Sequence, residues 1–212
     1  MNKSMAILAA IAVLAGSASA LNNTSLYFND TAHDGNAYSS QNDTNSFGNF
    51  ATVYASFNAV GTIDTVAWLG EYFNPPQQGQ ITGFTLSFYA DNAGAVGGLV
   101  NSQHFNGTNN ESFFETANGF PVYEYYDFIT PVGWNGDGWL AVVPDLGFPP
   151  QWGMVGGVNN RFAQQDFFGS RSTLGQSVAL YLGGDTAVPE PASMAALGLG
   201  VVALIRKRKA AK

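Results

Sequence analysis

The chain has 212 residues, of which 46% are hydrophobic, and a formal net charge of −7 at pH 7. It has no cysteine, which excludes disulfides, thiol catalysis and thiolate metal sites. Two histidines, His33 and His104, leave little room for a three-histidine metal site or a Ser-His-Asp triad, and both fall in or beside polar stretches typical of solvated loops.

The N-terminus has the three parts of a secretory signal peptide. Lys3 supplies the positive charge, residues 5–16 are apolar, and Ala18 and Ala20 form an A-x-A cleavage site. We therefore expect residues 1–20 to direct export as a signal helix that signal peptidase removes. The alternative is a retained anchor, which the short apolar stretch and its small terminal residues disfavour.

Residues 21–187 are predicted to form one all-β domain. The clearest periodicity is at Ile81–Ala90, where Phe84, Leu86 and Phe88 alternate with polar residues and tyrosine. In chain order the predicted strands are a leading one at Leu26–Phe28, then Phe50–Asn58, Thr62–Leu69, Ile81–Ala90, Tyr123–Thr130, Gly138–Val143 and Ser177–Leu182.

The spacers between these strands have turn-forming sequences. Asn74–Pro76, Asp91–Gly94 and Asn135–Gly138 supply proline or residues that accept a positive φ. Short strands separated by such turns predict an antiparallel β-sandwich or jelly roll. Its predicted core is Phe84, Leu86, Phe88, Leu140 and Val142.

The C-terminal residues 188–212 form a tripartite tail. Pro189, Glu190 and Pro191 are a rigid motif, because each proline fixes its own φ and restricts the residue before it. The uncharged residues 192–205 predict a transmembrane helix, although fourteen residues are fewer than the about twenty of a full span. The following basic residues mark the cytoplasmic side; they are Arg206, Lys207, Arg208 and Lys209. The alternative is an amphipathic or buried C-terminal helix.

This tail resembles the PEP-CTERM sorting signal of Gram-negative bacteria that make exopolysaccharide. The likeness covers Pro189, Glu190 and Pro191 residue for residue, as well as the order of motif, apolar segment and basic end. It implies that the chain passes transiently through the inner membrane. There an exosortase would process the tail and deliver the protein to the envelope, surface or matrix.

The middle of the domain resembles, more loosely, a β-sandwich module found ahead of many PEP-CTERM tails. The likeness runs from Thr62 to Gly184 and includes Ile63–Gly70, Ile81–Gly94 and Pro149–Gly153. It implies the fold and brings no catalytic residues with it.

Removal of both ends would leave a strongly acidic domain. Arg161 and Arg171 are its only Lys or Arg residues, against fourteen acidic ones, a net charge of −12. This composition excludes nucleic-acid binding, which needs clustered cations. The charge should also repel acidic polysaccharide and anionic lipid. Solubility after export is the simpler explanation of the acidity.

Two binding sites are candidates. Trp134 and Trp152 lie next to glycine-rich loops and would form an exposed platform for stacking sugars, although core packing is the commoner role of tryptophan. Asp91 and Asn92 offer oxygen ligands suited to calcium, although turn geometry alone explains them.

Paired carboxylates are the only enzymatic pattern that the sequence leaves open. A glycosidase needs two carboxyl groups about 5 to 10 Å apart. Glu124 and Asp127 would point to opposite faces of one strand, and Glu111 and Glu115 are typical of an acidic surface turn. The sequence therefore favours a non-enzymatic matrix or surface protein without a cofactor. The alternatives are a carbohydrate-binding module that retains exopolysaccharide and, less favoured, a glycoside-active enzyme.

Overall fold

The computed structural model describes residues 24–159 and 161–186, and this part of the chain is all-β, as predicted. None of its segments forms a helix with the length and apolar character needed to cross a membrane. The predicted signal helix, its cleavage site at Ala18 and Ala20 and the whole of the predicted tail lie outside the described residues. The strands are β1 Thr24–Asn29, β2 Ala37–Ser39, β3 Gln41–Asp43, β4 Gly48–Phe73, β5 Gly83–Asn92, β6 Ala95–Asn106, β7 Ser112–Ala117, β8 Phe120–Asp145, β9 Gln151–Gly157, β10 Gln164–Phe167, β11 Ser170–Thr173, β12 Ser177–Val178 and β13 Leu180–Thr186.

Two 26-residue strands, β4 and β8, form the frame of the domain. They pair antiparallel from Tyr54 opposite Ala141 to Glu71 opposite Val122. The predicted break between Asn58 and Thr62 is therefore wrong. Gly61 has a φ of 145°, which suits glycine, and it continues the strand with Trp134 as its partner.

The predicted turn at Asn135–Gly138 is wrong for the same reason. These four residues lie inside β8 and pair with residues 57–60 of β4. Long-range pairing thus overrides the local preference of Asn and Gly for turns. The pairing joins the described strands into one branched sheet.

The core lies where two parts of this sheet face each other. Phe84 of β5 has its ring centroid 5.1 Å from that of Trp68, 5.2 Å from Tyr125 and 5.6 Å from Trp152. Full burial of each such side chain contributes roughly 1.5–3 kcal/mol. The predicted core is confirmed, because its five residues are all completely buried: Phe84, Leu86, Phe88, Leu140 and Val142.

Three two-residue hairpins have the same backbone conformation. Their central residues are Ala93–Gly94, Asn118–Gly119 and Phe168–Gly169, and φ is positive at every one of them. This is the type I′ turn, whose twist matches that of the flanking strands. The predicted turn at Asp91–Gly94 is thus confirmed, with Asp91 and Asn92 as the last residues of β5.

Candidate functional site

The predicted tryptophan platform is wrong. Trp152 is completely buried, and its indole N–H donates to the Tyr125 hydroxyl at 3.1 Å. Trp134 is half-buried and packs its ring against Phe57, with centroids 5.1 Å apart. Trp152 therefore cannot contact a sugar, and the Trp134 ring is packed against Phe57 and Phe88, so the two rings do not form one exposed platform.

A second group of aromatic residues lies on the side of the sheet away from the main core, where Tyr54 and Trp139 are 7% and 4% exposed and Tyr89 is half-buried. Tyr54 of β4, Trp139 of β8 and Tyr89 of β5 alternate with core residues, so they point away from the core. The Tyr54 and Tyr89 rings meet edge to face with centroids 5.4 Å apart. We call this side of β4, β5 and β8 the aromatic face.

A cleft of about 300 Å³ opens at one end of the aromatic face. Phe162 borders it and is 55% exposed. The cleft is lined by Ser56, Asp91, Gly94, Asp137, Gly138, Trp139, Arg161, Phe162, Gln164 and Thr173. Polar and aromatic side chains in one concave site are typical of ligand-binding clefts.

Hydrogen bonds fix the polar groups of this cleft. The Trp139 indole N–H donates to Asp91 Oδ1 at 2.9 Å. Asp137 Oδ1 lies 2.9 Å from Arg161 Nη1 and accepts from Asn58 Nδ2 at 2.9 Å. These contacts with Asn58 and Arg161 lower the pKa of Asp137. The groups are therefore held in place before any ligand arrives.

A second cleft, of about 250 Å³, lies on the same face. Small side chains in its middle, Ser87 and Ala141, lie opposite one another and leave room above the sheet. It is lined by Asn42, Asn49, Thr52, Tyr54, Thr85, Ser87, Tyr89, Ala141, Val143 and Asp145. Tyr54 and Tyr89 belong to this lining and Trp139 to the first one, so neighbouring rings connect the two clefts.

Arg171 closes the edge of the face over Tyr54. Its guanidinium carbon lies 4.7 Å from the centre of the Tyr54 ring, and its Nη2 lies 2.6 Å from Asp166 Oδ2. The Tyr54 hydroxyl donates to the same carboxylate at 3.0 Å. Burial and the adjacent Asp166 raise the pKa of Tyr54 to about 12. Both arginines of the described chain, Arg161 and Arg171, are thus neutralised by aspartates.

The calcium candidates lie beside the first cleft. Both oxygens of Asp91 accept hydrogen bonds, from the Trp139 indole and from the Gly94 amide. Asn92 is exposed at the hairpin. Within the described residues no group of three or more His, Asp or Glu side chains is placed to hold a metal ion. Through these two hydrogen bonds Asp91 holds the hairpin turn and the Trp139 indole in place.

The four candidate carboxylates have separate partners. Glu111 accepts hydrogen bonds from the Tyr72 and Tyr125 hydroxyls at 2.6 and 2.7 Å, and from Gln78. The other three contacts are Glu115 with His33, Glu124 with Ser112 and Asp127 with Asn109. Glu115 lies in strand β7 rather than in a turn.

His33 is an exposed loop residue, as expected, whereas His104 lies in a strand. His33 binds Glu115 and stacks on the Phe114 ring with centroids 6.4 Å apart. His104 lies within strand β6, with Nδ1 3.1 Å from Thr85 Oγ1. Each histidine is therefore engaged with a neighbouring segment.

Glu71 is a buried acid that no sequence pattern singled out. It is 3% exposed, and its Oε2 has no hydrogen-bond partner. Burial, and to a lesser extent the nearby charge of Asp34, raise the pKa of Glu71 to about 7. The sequence around Glu71 did not indicate this burial, because the residues that cover its side chain come from distant parts of the chain.

Two further cavities are present among the described residues. One is an open cleft of about 520 Å³ beside Gln78 and Pro150. The other lies between the side chains of β1, β4, β8 and β13, including Phe28, Leu69 and Tyr126. Its volume is about 30 Å³. That space holds about one water molecule, so it is not a ligand site.

Comparison with known families adds one finding. The PEP-CTERM protein-sorting motif matches residues 187–209, which include Pro189, Glu190, Pro191 and the basic residues 206–209. No curated protein and no solved structure matches the chain. The motif indicates export and sorting to the cell envelope of a Gram-negative bacterium.

Proposed function

We propose that this chain is a non-enzymatic surface protein that binds a neutral polysaccharide on its aromatic face. The observation that carries this proposal is the pair of clefts, where rings such as Phe162 and Tyr89 lie beside fixed hydrogen-bonding groups. Sugars present both apolar C–H faces and hydroxyl groups, and a cleft of this composition complements both.

The charge of the domain favours an uncharged polymer. Arg161 and Arg171 are paired with Asp137 and Asp166, so no cation of the face is left to bind carboxylate or sulfate groups. The surrounding net charge of −12 repels acidic chains. A neutral component of an exopolysaccharide matrix is therefore the polymer most compatible with the negative electrostatic potential of the domain.

The dispersion of the carboxylates supports a role without catalysis. Glu111 is bonded to two tyrosines away from both clefts, and Glu115 is bonded to His33. A glycosidase would need two acids that converge on the same sugar. The first cleft contains Asp91 and Asp137, but Asp91 is bonded to Trp139 and Gly94, and Asp137 is bonded to Asn58 and Arg161. We therefore expect binding without product release and without a metal cofactor.

Export supplies the cellular setting of this proposal. Signal peptidase would remove residues 1–20, and the chain would be held in the inner membrane until an exosortase acts on the motif in residues 187–209. The β-domain would then reach the surface or the extracellular matrix. There the aromatic face would hold polysaccharide strands.

Affinity electrophoresis of the full-length chain in mild detergent tests the proposal. We expect retardation by neutral polymers such as dextran or galactomannan, no retardation by alginate, and no change with a chelator. Phe162→Ala should weaken binding about tenfold, the loss expected from one aromatic stacking contact. Phe113→Ala is the matched control, because Phe113 is 60% exposed but lies on β7, outside both clefts.

Two results would overturn this assignment. One is the absence of retardation by every neutral polymer. The other is an equal effect of Phe162→Ala and Phe113→Ala, which would mean that the cleft is not the site.

A further inference from the structure

Five phenylalanine rings meet where the β10–β11 hairpin turns beside the start of β4. Three of them, Phe47, Phe167 and Phe168, are 55%, 41% and 60% exposed. Ring centroids are 5.2 Å apart for Phe50 and Phe168 and 6.0 Å apart for Phe47 and Phe168. We call this group the phenylalanine patch: Phe47, Phe50, Phe148, Phe167 and Phe168.

The backbone of Phe168 is unusual for so large a side chain. Phe168 has a φ of 46° and Gly169 a φ of 80°, in a type I′ turn that favours Asn-Gly. The β7–β8 hairpin uses that preferred pair, Asn118 and Gly119. A bulky residue at positive φ is a strained choice, and such strain concentrates at functional surfaces. The exposed Phe168 ring therefore points to a use outside the fold.

Strand β11 is an open edge next to the patch. All four of its residues, Ser170–Thr173, are exposed. Among the described strands it pairs only with β10, so backbone groups along its other side have no strand partner. An open edge of this kind is completed by another β-strand.

Charge favours the approach of a second acidic chain at this end of the domain. Arg171 of β11 lies beside the patch and pairs with Asp166. The carboxylate of Asp43, near Phe47 and Phe148, accepts hydrogen bonds from the backbone N–H groups of both phenylalanines. The Arg171–Asp166 pair adds no net charge at the patch and the Asp43 carboxylate is turned toward backbone N–H groups, whereas the domain as a whole is strongly negative.

The patch lies away from the point where the chain continues toward its tail. Phe167 is opposite Ala51 on β4, whereas Thr186, the last described residue, is opposite Gly61. Ten residues of strand separate these positions by about 30 Å. A molecule held by its C-terminus would keep the patch accessible.

We propose that two copies of this chain associate through the phenylalanine patch and the β11 edge. A second copy supplies both a β-strand that can pair with the open edge and apolar rings that can cover the patch. Three partly exposed rings bury roughly 300 Å² per copy, less than the roughly 800 Å² of a stable interface. The dimer is therefore weak in dilute solution and forms where the envelope concentrates the protein.

Because the chain has no cysteine, a single introduced cysteine can form a disulfide only with another copy of itself or with a different protein. The full-length chain carrying Ser172→Cys on β11 is expressed in a Gram-negative host, where the exported domain meets an oxidising periplasm. We expect a disulfide-linked dimer on a non-reducing gel. Ser102→Cys is the matched control, because it places an exposed cysteine on β6, another edge strand that lacks the patch.

The patch is tested in the Ser172→Cys background. Phe168→Asn should reduce the dimer severalfold while keeping the hairpin, because asparagine suits a positive φ. Phe47→Ser is a second variant that leaves the hairpin sequence intact. Thermal melting confirms that each variant is folded.

Three outcomes would overturn the proposal. Ser172→Cys could cross-link no better than Ser102→Cys. Folded Phe168→Asn and Phe47→Ser variants could both cross-link like the parent. The cross-linked product could have a mass other than that of two chains, which would assign the surface to a different partner.

Discussion

The indole ring of Trp152 packs directly on the α-carbon of Gly70. A Cβ atom built on Gly70 would lie 2.0 Å from Trp152 Cζ2, well inside van der Waals contact. Gly70 lies on β4 and pairs with Met154, the residue two positions after Trp152 on β9. The largest buried side chain of the core thus depends on the absence of a side chain on the adjacent strand.

Gly70→Ala should therefore destabilise the domain by about 3 kcal/mol, because the ring must shift within a packed core. Urea unfolding followed by tryptophan fluorescence measures this loss. Gly133→Ala is the control, since Gly133 is also a strand glycine but a Cβ atom added to it would have no neighbour within 4 Å. A Gly70→Ala protein as stable as the control would contradict the packing described for Trp152.

Glu71→Gln should stabilise the protein at neutral and alkaline pH. The folded-state pKa of Glu71 is about 7 and its ordinary value is 4.5, so the folded state binds the extra proton between these values. Stability is then lost as pH rises through this range. With about 1.4 kcal/mol per pKa unit and some solvent screening, the difference is about 2 kcal/mol at pH 8.

Thermal melting between pH 4 and pH 8 measures this effect. We expect the Glu71→Gln curve to be flatter than that of the parent, and the two curves to converge near pH 4. Asp185→Asn controls for the loss of one exposed negative charge. Parallel curves for parent and Glu71→Gln would show that the acid is not buried as described.

Asp43→Asn should have the opposite dependence on pH. Burial alone would raise the pKa of Asp43, but N–H groups of Phe148, Asn45, Phe47 and Ser46 outweigh it and hold the pKa well below its usual value. A depressed pKa contributes stability above the unfolded value of 3.8, and this contribution is lost as pH falls below it.

We expect Asp43→Asn to cost about 2 kcal/mol at pH 7, because bonds to a charged acceptor are replaced by weaker ones. The gap between variant and parent should narrow as the pH falls from 4 toward 2. Denaturant unfolding over this range measures it. A gap independent of pH would mean that the charge of Asp43 contributes nothing.

Replacing Pro189, Glu190 and Pro191 with alanine should leave residues 192–212 on the chain. Proline fixes its own φ and restricts the residue before it, and alanine would remove both restrictions from the motif that we expect an exosortase to read. Intact mass and cell fractionation of the parent and the variant in an exosortase-containing host test this expectation. A parent protein that keeps Arg206–Lys212 in the inner membrane would show that the tail is a plain anchor.

Local chemistry along the chain was sufficient to predict part of this protein. The alternation of Phe84, Leu86 and Phe88 marked a strand and its buried side, because side chains of a strand alternate between faces whatever lies around them. The sorting motif was readable in the same way, since its residues are contiguous. All-β character followed from short apolar runs separated by Gly, Asn and Pro.

Strand limits were less predictable, because pairing partners decide them. Asn135–Gly138 has the sequence of a turn, yet β4 runs opposite it and keeps the strand continuous. The polar and glycine-rich strands β6, β9, β10 and β11 had no apolar alternation to reveal them. Strands β9 and β10 pair with β4, which is distant in the sequence, whereas β6 and β11 are held by hairpins to β5 and β10.

Residue order alone was thus enough for the sorting motif, the absence of thiol chemistry, the acidity and the central core strand. The three-dimensional arrangement was needed to learn which aromatic residues lie in the main core and which lie on the opposite side of the sheet. Trp152 is buried because Gly70 leaves space for its ring, and Tyr54, Tyr89 and Trp139 form one surface because the register of β4, β8 and β5 aligns them. Burial depends on what lies across the sheet, and that information is spread over segments far apart in the chain.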